Sequence, residues 1–463
     1  MNNFLDTSHI QSLDSAHFLH PFTDFKELKA RGARVITHAE NIYVWDSEGK
    51  RLLDAMSGLW CVNVGYGRKE LADAAHVQML QLPYYNSFFQ TTNVPAANLA
   101  AKLASLAPTI DGRSFSHVFF SSSGSESNDS NVRMVRRYWD LLGYPERKVI
   151  ISRRNAYHGS TMAGASLGGM SYMHAQGDLP IPNICHIDQP YFFENGQLGE
   201  SVHDFGLRAA SWLEERILEI GANKVAAFIA EPVQGAGGVI IPPASYWPEI
   251  QRIVDKYGVL LISDEVICAF GRLGHWFAYE KFGYKPDLIT FAKGVTSGYI
   301  PLGGVMVGDR VSKVLIEQGG EFNHGYTYSG HPVACAVALA NIGIMERENV
   351  VCNVRDVLAP YLAKEFNRLA SHPLVGVTET CGLMAGLVLV KDKANNTLFP
   401  PGLLVGMICR NHCFTQGIIM RAVGDRMIIA PPLTITRAQI DELIALIRHC
   451  LDLTYEELRI KLM

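Results

Sequence analysis

Ile262-Ser263-Asp264-Glu265-Val266, then Pro286-Asp287-Leu288-Ile289-Thr290-Phe291-Ala292-Lys293-Gly294, then Pro301-Leu302-Gly303-Gly304 make up the stretch whose reading decides the fold. An apolar run, 258–262, ends in a carboxylate, and a second, 287–291, ends in a lysine followed by glycine. Short apolar runs bounded by turn residues read as buried strands. In open α/β sheets ligands bind beyond the carboxyl ends of the strands, so an Asp and a Lys placed there can face one bound molecule.

Outward from this stretch, strands are expected at 42–45, 51–54, 117–120, 148–151, 184–187 and 225–232, and helices at 69–81, 95–106, 127–142 and 203–221. Alternating strands and helices at these spacings predict an α/β fold with a mainly parallel sheet and helices on both faces. From residue 333 the pattern changes. Helices at 333–347, 356–372, 403–416 and 436–453, with strands at 374–378, 383–390 and 427–432, describe an α+β module that joins the N-terminal β-meander in one small domain. His17 to Phe22, broken by Pro21, is not a regular helix. Tyr84-Tyr85-Asn86-Ser87-Phe88-Phe89 packs four aromatics into six residues, an enrichment typical of interfaces.

Pyridoxal 5′-phosphate needs both charges of the central stretch: its aldehyde condenses with a lysine amine, and its ring nitrogen is held protonated by a carboxylate. Ser121-Ser122-Ser123-Gly124-Ser125-Glu126 follows a strand and opens a helix, where backbone N–H groups and the helix dipole suit a phosphate. Tyr157, at another strand end, can stack on the ring. Each residue also has a plainer reading: a solvated lysine, an Asp or Ser helix cap, a structural tyrosine. Their conjunction favours the cofactor.

Ser123-Gly124-Ser125-Glu126-Ser127-Asn128-Asp129, Ala156-Tyr157-His158-Gly159-Ser160, Glu231-Pro232-Val233-Gln234-Gly235, Asp264-Glu265-Val266, Ala292-Lys293-Gly294 and His324-Gly325-Tyr326-Thr327-Tyr328-Ser329-Gly330-His331-Pro332 occur in the order found in the class III, or ω-amino acid, aminotransferases. The chain resembles that family, a branch of the fold-type I pyridoxal phosphate enzymes, from about Gly58 to Pro432. The resemblance implies an aspartate aminotransferase-like large domain with a seven-stranded sheet at 59–330, and a small domain made from 1–58 and 331–463. It implies Lys293 and Asp264 as the catalytic pair. Gly124, Ser125, Tyr157, His158, Glu231 and Val266 complete the cofactor set, with Thr327 supplied by the partner subunit of a homodimer that shares its active sites, a tetramer of paired dimers being the other state left open.

For the substrate, the resemblance implies a pocket lined by Phe22, Leu59, Trp60, Ala236 and Phe88. Arg421 stands where the family places a mobile arginine, whose planar fork suits a carboxylate; a surface ion pair with Asp425 is the other reading. With no second arginine at a motif, and small residues at Gln234 to Gly238, pyruvate is the expected amino acceptor. The donor is expected to be a primary amine, polyamine or ω-amino acid. A decarboxylase or aminomutase of the same fold, and an inactive relative acting as a binding protein, remain the alternatives.

The remaining features bound the class. With 463 residues, 48% apolar and 19% charged, the chain reads as an ordinary soluble α/β protein. A formal charge of -4 supplies no basic field for nucleic acid. The start, Met1 to Asp6, lacks the basic and apolar regions of a signal peptide, and no apolar run is long enough to span a bilayer, so a cytoplasmic location away from membranes is expected. The nine scattered cysteines show no metal-site spacing and are expected to be reduced and mostly buried.

Overall fold

A computed structural model describes residues 6–462; Met1 to Leu5, part of the segment read for a leader, lie outside the described residues. The chain's centre is a seven-stranded sheet, ordered Phe115–Ser121, Gly303–Gly308, Leu288–Phe291, Leu260–Asp264, Val225–Ala230, Val149–Arg153, Ile184–Ile187. The last five run parallel, while Gly303–Gly308 is antiparallel to both its neighbours. This single reversed strand was not foreseen as a strand. Its first two residues are glycines with a packing reason: a Cβ on Gly304 would stand 2.6 Å from Phe291 Cζ, and one on Gly303 2.7 Å from the Ser123 backbone.

Val225–Ala230 and Leu260–Asp264 are buried at every position, the pattern of central strands covered on both faces. Each Ile or Phe buried there contributes about 1.5–3 kcal/mol. The amphipathic helices Gly124–Leu141, Val202–Ile220 and Tyr246–Tyr257 turn apolar stripes inward. The turns that carry the site therefore collect at one end of the sheet: Ser121, Arg153, Ala230, Asp264 and Phe291 are strand ends there, and each leads into a segment quoted above.

Two four-stranded sheets lie outside this layer. One is the expected meander, Ile36–Glu40, Tyr43–Asp46 and Arg51–Asp54, extended by Ile418–Ile419 from the far end of the chain. The other comprises Val375–Cys381, Met384–Leu389, Arg426–Ile429 and Arg421–Val423. Buried Arg272 ties the layers together. Its Nη1 donates to the Leu383 and Pro431 carbonyls, and its Nη2 donates to Ser57 Oγ and Asn63 Oδ1.

Most boundaries fall within two or three residues of expectation, and Lys69–Gln81 and Ile184–Ile187 coincide with it. The closing helix differs more, running Arg437–Leu462 from its Thr436 cap rather than stopping at 453. The helix expected from 356 begins earlier and passes through a wide turn at Val354–Leu358, just before Pro360, whose ring cannot sit over an ordinary turn. Helices Thr7–His17 and Tyr246–Tyr257 were not foreseen. All nine cysteines are free thiols. Among the described residues no helix is long and apolar enough to cross a membrane.

Candidate active site

Where the strand ends meet lies a cavity of about 360 Å³, lined by Lys293, Asp264, Tyr157, His158, Val266, Gly124 and Ser125 among others. Lys293 is placed by its backbone. The strand Leu288–Phe291 gives way to a tight turn, Lys293–Thr296, and Lys293 itself has φ 49°, a left-handed conformation that costs energy for a residue with a Cβ and concentrates at functional sites. Its amine has no hydrogen-bond or ion-pair partner among the described residues. Burial lowers the pKa of the ammonium; the nearby Cys61 thiol, Asp264 and Glu231 act in the opposite direction, and Arg421 adds to the lowering.

Asp264 closes the strand Leu260–Asp264 and is 3% exposed. Its Oδ2 accepts from Asn128 Nδ2 at 2.8 Å and from His158 Nδ1 at 2.7 Å, whereas Oδ1 accepts only the Val266 amide at 3.1 Å. One oxygen is thus saturated and the other retains acceptor capacity. Glu231 stands behind this layer rather than on the cavity wall. Its two oxygens accept from the Tyr157 and Gly235 amides, each at 3.0 Å, and burial raises its pKa. It therefore holds the backbone that carries Tyr157.

The helix Gly124–Leu141 begins three residues before its expected start because Ser123 caps it: Ser123 Oγ accepts the Glu126 amide, and Glu126 Oε2 accepts the Ser122 amide at 2.7 Å. The Gly124 and Ser125 amides, in the first turn, have no acceptor within the helix. Close packing explains both glycines here. A Cβ on Gly124 would stand 2.9 Å from Val266 Cγ2, and one on Gly159 2.6 Å from Ser125 Oγ.

The structure assembles seven of the expected residues around the cavity and sets the others apart. Phe22 is 68% exposed and meets the Tyr157 ring edge-on at 6.4 Å. Trp60 and Ala236 are buried outside the cavity wall, and Leu59 faces solvent. Thr327 is exposed and lines no part of this cavity; its carbonyl accepts from Tyr84 Oη at 2.8 Å. Phe88 packs on Gly325 in a separate surface groove. Arg421 makes no ion pair with Asp425, whose Oδ1 instead accepts the Gly406 amide at 2.9 Å. It has no carboxylate partner among the described residues, and burial lowers its pKa against the opposing influence of Tyr172 and Tyr157. Sequence reasoning missed Asn128 and Cys61, both on the cavity wall. Asn128 lay within a quoted motif, but nothing in a helical sequence shows that its amide will reach a strand end.

These residues fit pyridoxal 5′-phosphate. The unpartnered Lys293 amine suits its aldehyde, Asp264 Oδ1 its ring nitrogen, and the Gly124 and Ser125 amides, where no Cβ intrudes at Gly124, its phosphate. Tyr157 and Val266 offer flat and branched apolar surfaces to a ring.

Comparison with known proteins agrees with this geometry. The family model described as aminotransferase class-III matches residues 28–451. The chain is 57% identical over 445 residues to the putrescine–pyruvate aminotransferase of Pseudomonas aeruginosa, covering 96% of each chain. Among solved structures, a thermostable (S)-enantioselective ω-transaminase from Thermomicrobium roseum superposes with a TM-score of 0.92 at 43% identity, covering 97% of this chain and 99% of that one. The ω-transaminase from Pseudomonas jessenii in complex with PMP gives a TM-score of 0.93 at 38% identity, covering 96% and 98%.

Proposed function

The chain belongs to the class-III aminotransferases and uses pyridoxal 5′-phosphate, and we propose that it carries amino groups from a primary diamine, putrescine foremost, to pyruvate. The observation carrying donor and acceptor is the 57% identity, over 96% of both chains, with a putrescine–pyruvate aminotransferase. Arg421 supports the acceptor: a half-buried guanidinium without a carboxylate partner among the described residues is suited to hold the carboxylate of a keto acid by a charge-assisted bidentate bond.

When bound, pyridoxal phosphate supplies an aldehyde that exchanges amino groups and a ring that withdraws the electrons left by a departing proton. The protein's residues do the rest. Lys293 Nζ, whose pKa burial lowers, would take the proton from the substrate carbon and return it one position away. Asp264 Oδ1 would keep a positive charge on the ring nitrogen, Tyr157 and Val266 would fix the ring plane, and the Gly124 and Ser125 amides would hold the phosphate. The aldehyde product leaves before pyruvate enters, so the kinetics are ping-pong.

The same reading takes the enzyme as a cytoplasmic homodimer. Thr327 and Phe88, both exposed and remote from their own cavity, are suited to reach the partner's cavity. It also divides the chain into a cofactor-binding domain, 59–330, and a small domain, 1–58 with 331–463; the pairing of Ile418–Ile419 with Leu53 and Asp54 supports this division.

Mixing the purified holoprotein with putrescine and no keto acid tests the reading. The cofactor's visible absorbance should bleach, and pyruvate should restore it faster than 2-oxoglutarate. Unchanged colour with carbon dioxide released from amino acids would contradict transamination, and faster recovery with 2-oxoglutarate would contradict the acceptor.

A further inference from the structure

Asn128 occupies a position that the reaction scheme above leaves without a task. It is 1% exposed, sits one turn into the helix Gly124–Leu141, and reaches across to the end of the strand Leu260–Asp264. Its amide orientation is fixed by its neighbours. Oδ1 accepts from Asn131 Nδ2 at 3.0 Å and from Thr290 Oγ1 at 2.9 Å, so Nδ2 is the atom that donates, at 2.8 Å each, to Asp264 Oδ2 and to the His158 carbonyl. Asn131 Nδ2 also donates to Thr290 Oγ1 at 2.7 Å, and donors therefore run in one direction: from Asn131 through Thr290 and Asn128 to the carboxylate.

The chain of donors begins in the helix, crosses the neighbouring strand Leu288–Phe291 and ends on Asp264. It therefore couples three elements that each place a different part of the site: Gly124 and Ser125 on the helix, the strand that leads to Lys293, and the strand that carries Asp264. Hydrogen bonds in a buried network of this kind polarise one another; Asn131 Oδ1 and His158 Nε2 are its buried atoms with no partner among the described residues. The Asn128 amide and His158 Nδ1 converge on the same oxygen, Oδ2, and each stabilises negative charge there. The carboxylate is thereby fixed in rotation, and Oδ1, with only the Val266 amide, is the oxygen presented to a ligand.

We propose that Asn128 is a positioning residue for the cofactor: by donating to Asp264 Oδ2 under orders from Thr290 and Asn131, it sets which carboxylate oxygen faces the ring nitrogen and holds that oxygen's charge in place. The inference rests on the reading of Asp264 as the ring nitrogen's partner. Loss of one donor to an ionised group typically weakens binding about 10- to 100-fold. Loss of an upstream donor should act through Asn128 and cost less, about 2- to 5-fold.

Two measurements on the cofactor itself test it: the dissociation constant of pyridoxal phosphate, and the pH midpoint of the visible absorbance of the loaded protein. Three variants are compared with wild type: Asp264→Asn, Asn128→Asp, which keeps the shape but replaces the amide donor with a second carboxyl beside Asp264 Oδ2, and Thr290→Val. The proposal expects both readouts to move in Asp264→Asn, to move in the same direction in Asn128→Asp with binding about 10- to 100-fold weaker, and to move least in Thr290→Val. A merely structural role would lower the melting temperature of the cofactor-free protein while leaving the absorbance midpoint where it is in wild type, and that result would overturn the proposal. So would a shift in Asp264→Asn with none in Asn128→Asp. If Asp264→Asn itself moves neither readout, the reading of Asp264 fails and takes the proposal with it. Should Asn128→Asp not fold, Thr290→Val decides: an altered midpoint supports the donor chain, and an unaltered one refutes it.

Discussion

The floor of the cavity and its rim are built on opposite rules. On the floor and in the layer behind it, Asp264, His158, Asn128, Glu231 and Thr290 are buried, with Asp264 accepting three donors and Glu231 two. On the rim, Phe22 and Leu59 are exposed, Thr327 is exposed and lines no part of its own cavity, and Arg421 has no carboxylate partner among the described residues. A floor so thoroughly constrained can present the same groups in the same places at every turnover. A rim with unpaired charge and open apolar surface leaves room for substrates of different chemistry and for a second subunit. On the proposed reading, the chemistry falls to the floor and the choice of substrate to the rim.

The largest expected effect is at the floor. Lys293→Ala should reduce turnover by at least about 10³-fold, since the proposed function routes both covalent attachment and proton transfer through its Nζ. Circular dichroism and the melting temperature of the cofactor-free protein should stay near wild type, because the side chain makes no hydrogen bond or ion pair among the described residues. Normal turnover in this variant would erase the division between floor and rim.

Arg421→Ala should act selectively. Steady-state kinetics with pyruvate should show kcat/KM lowered about 10- to 100-fold, the loss of a charge-assisted bond to a carboxylate, while an aldehyde acceptor of similar size is little affected. Equal losses with both acceptors would move Arg421 from the rim to a structural role.

The smallest effect concerns the edge strand Ile184–Ile187, away from the cavity lining. His186 Nε2 lies within hydrogen-bond distance of the Leu167 and Gly168 carbonyls, and burial pushes its pKa down from 6.5 to about 4. A depressed folded-state value stabilises the protein above the unfolded pKa, and this contribution is lost as pH falls from about 6.5 through about 4. It amounts to about 2–3 kcal/mol at most. Urea unfolding at pH 7 and at pH 4.5 should show a smaller loss of stability in His186→Asn than in wild type; an identical loss in both would show that the surroundings of His186 do not exclude charge.

Much of the floor was legible in the sequence because it lies where apolar strands stop, and a stop is a local event: Asp264 and Lys293 each end a run that reads as buried. The cap at Ser123 was equally local. What escaped was non-local. Asn128 looks like an ordinary helix residue until a strand 136 positions away brings a carboxylate to it. The strand Gly303–Gly308 hid behind two glycines of low strand propensity, present because neighbouring backbone and a ring come too close for a Cβ. Helix Tyr246–Tyr257 has no side-chain cap to announce it and carries Pro248 in its first turn. The rim was least legible, since exposed residues with few contacts are positioned by a loop's course or by another subunit, neither of which has a period or a cap to read.

Reduction of the loaded protein with borohydride, followed by proteolysis and peptide mapping, tests the central claim most directly. The cofactor should be found fixed to Lys293 alone, on the peptide that follows the strand Leu288–Phe291. Label on a different lysine, or on none, would contradict the account.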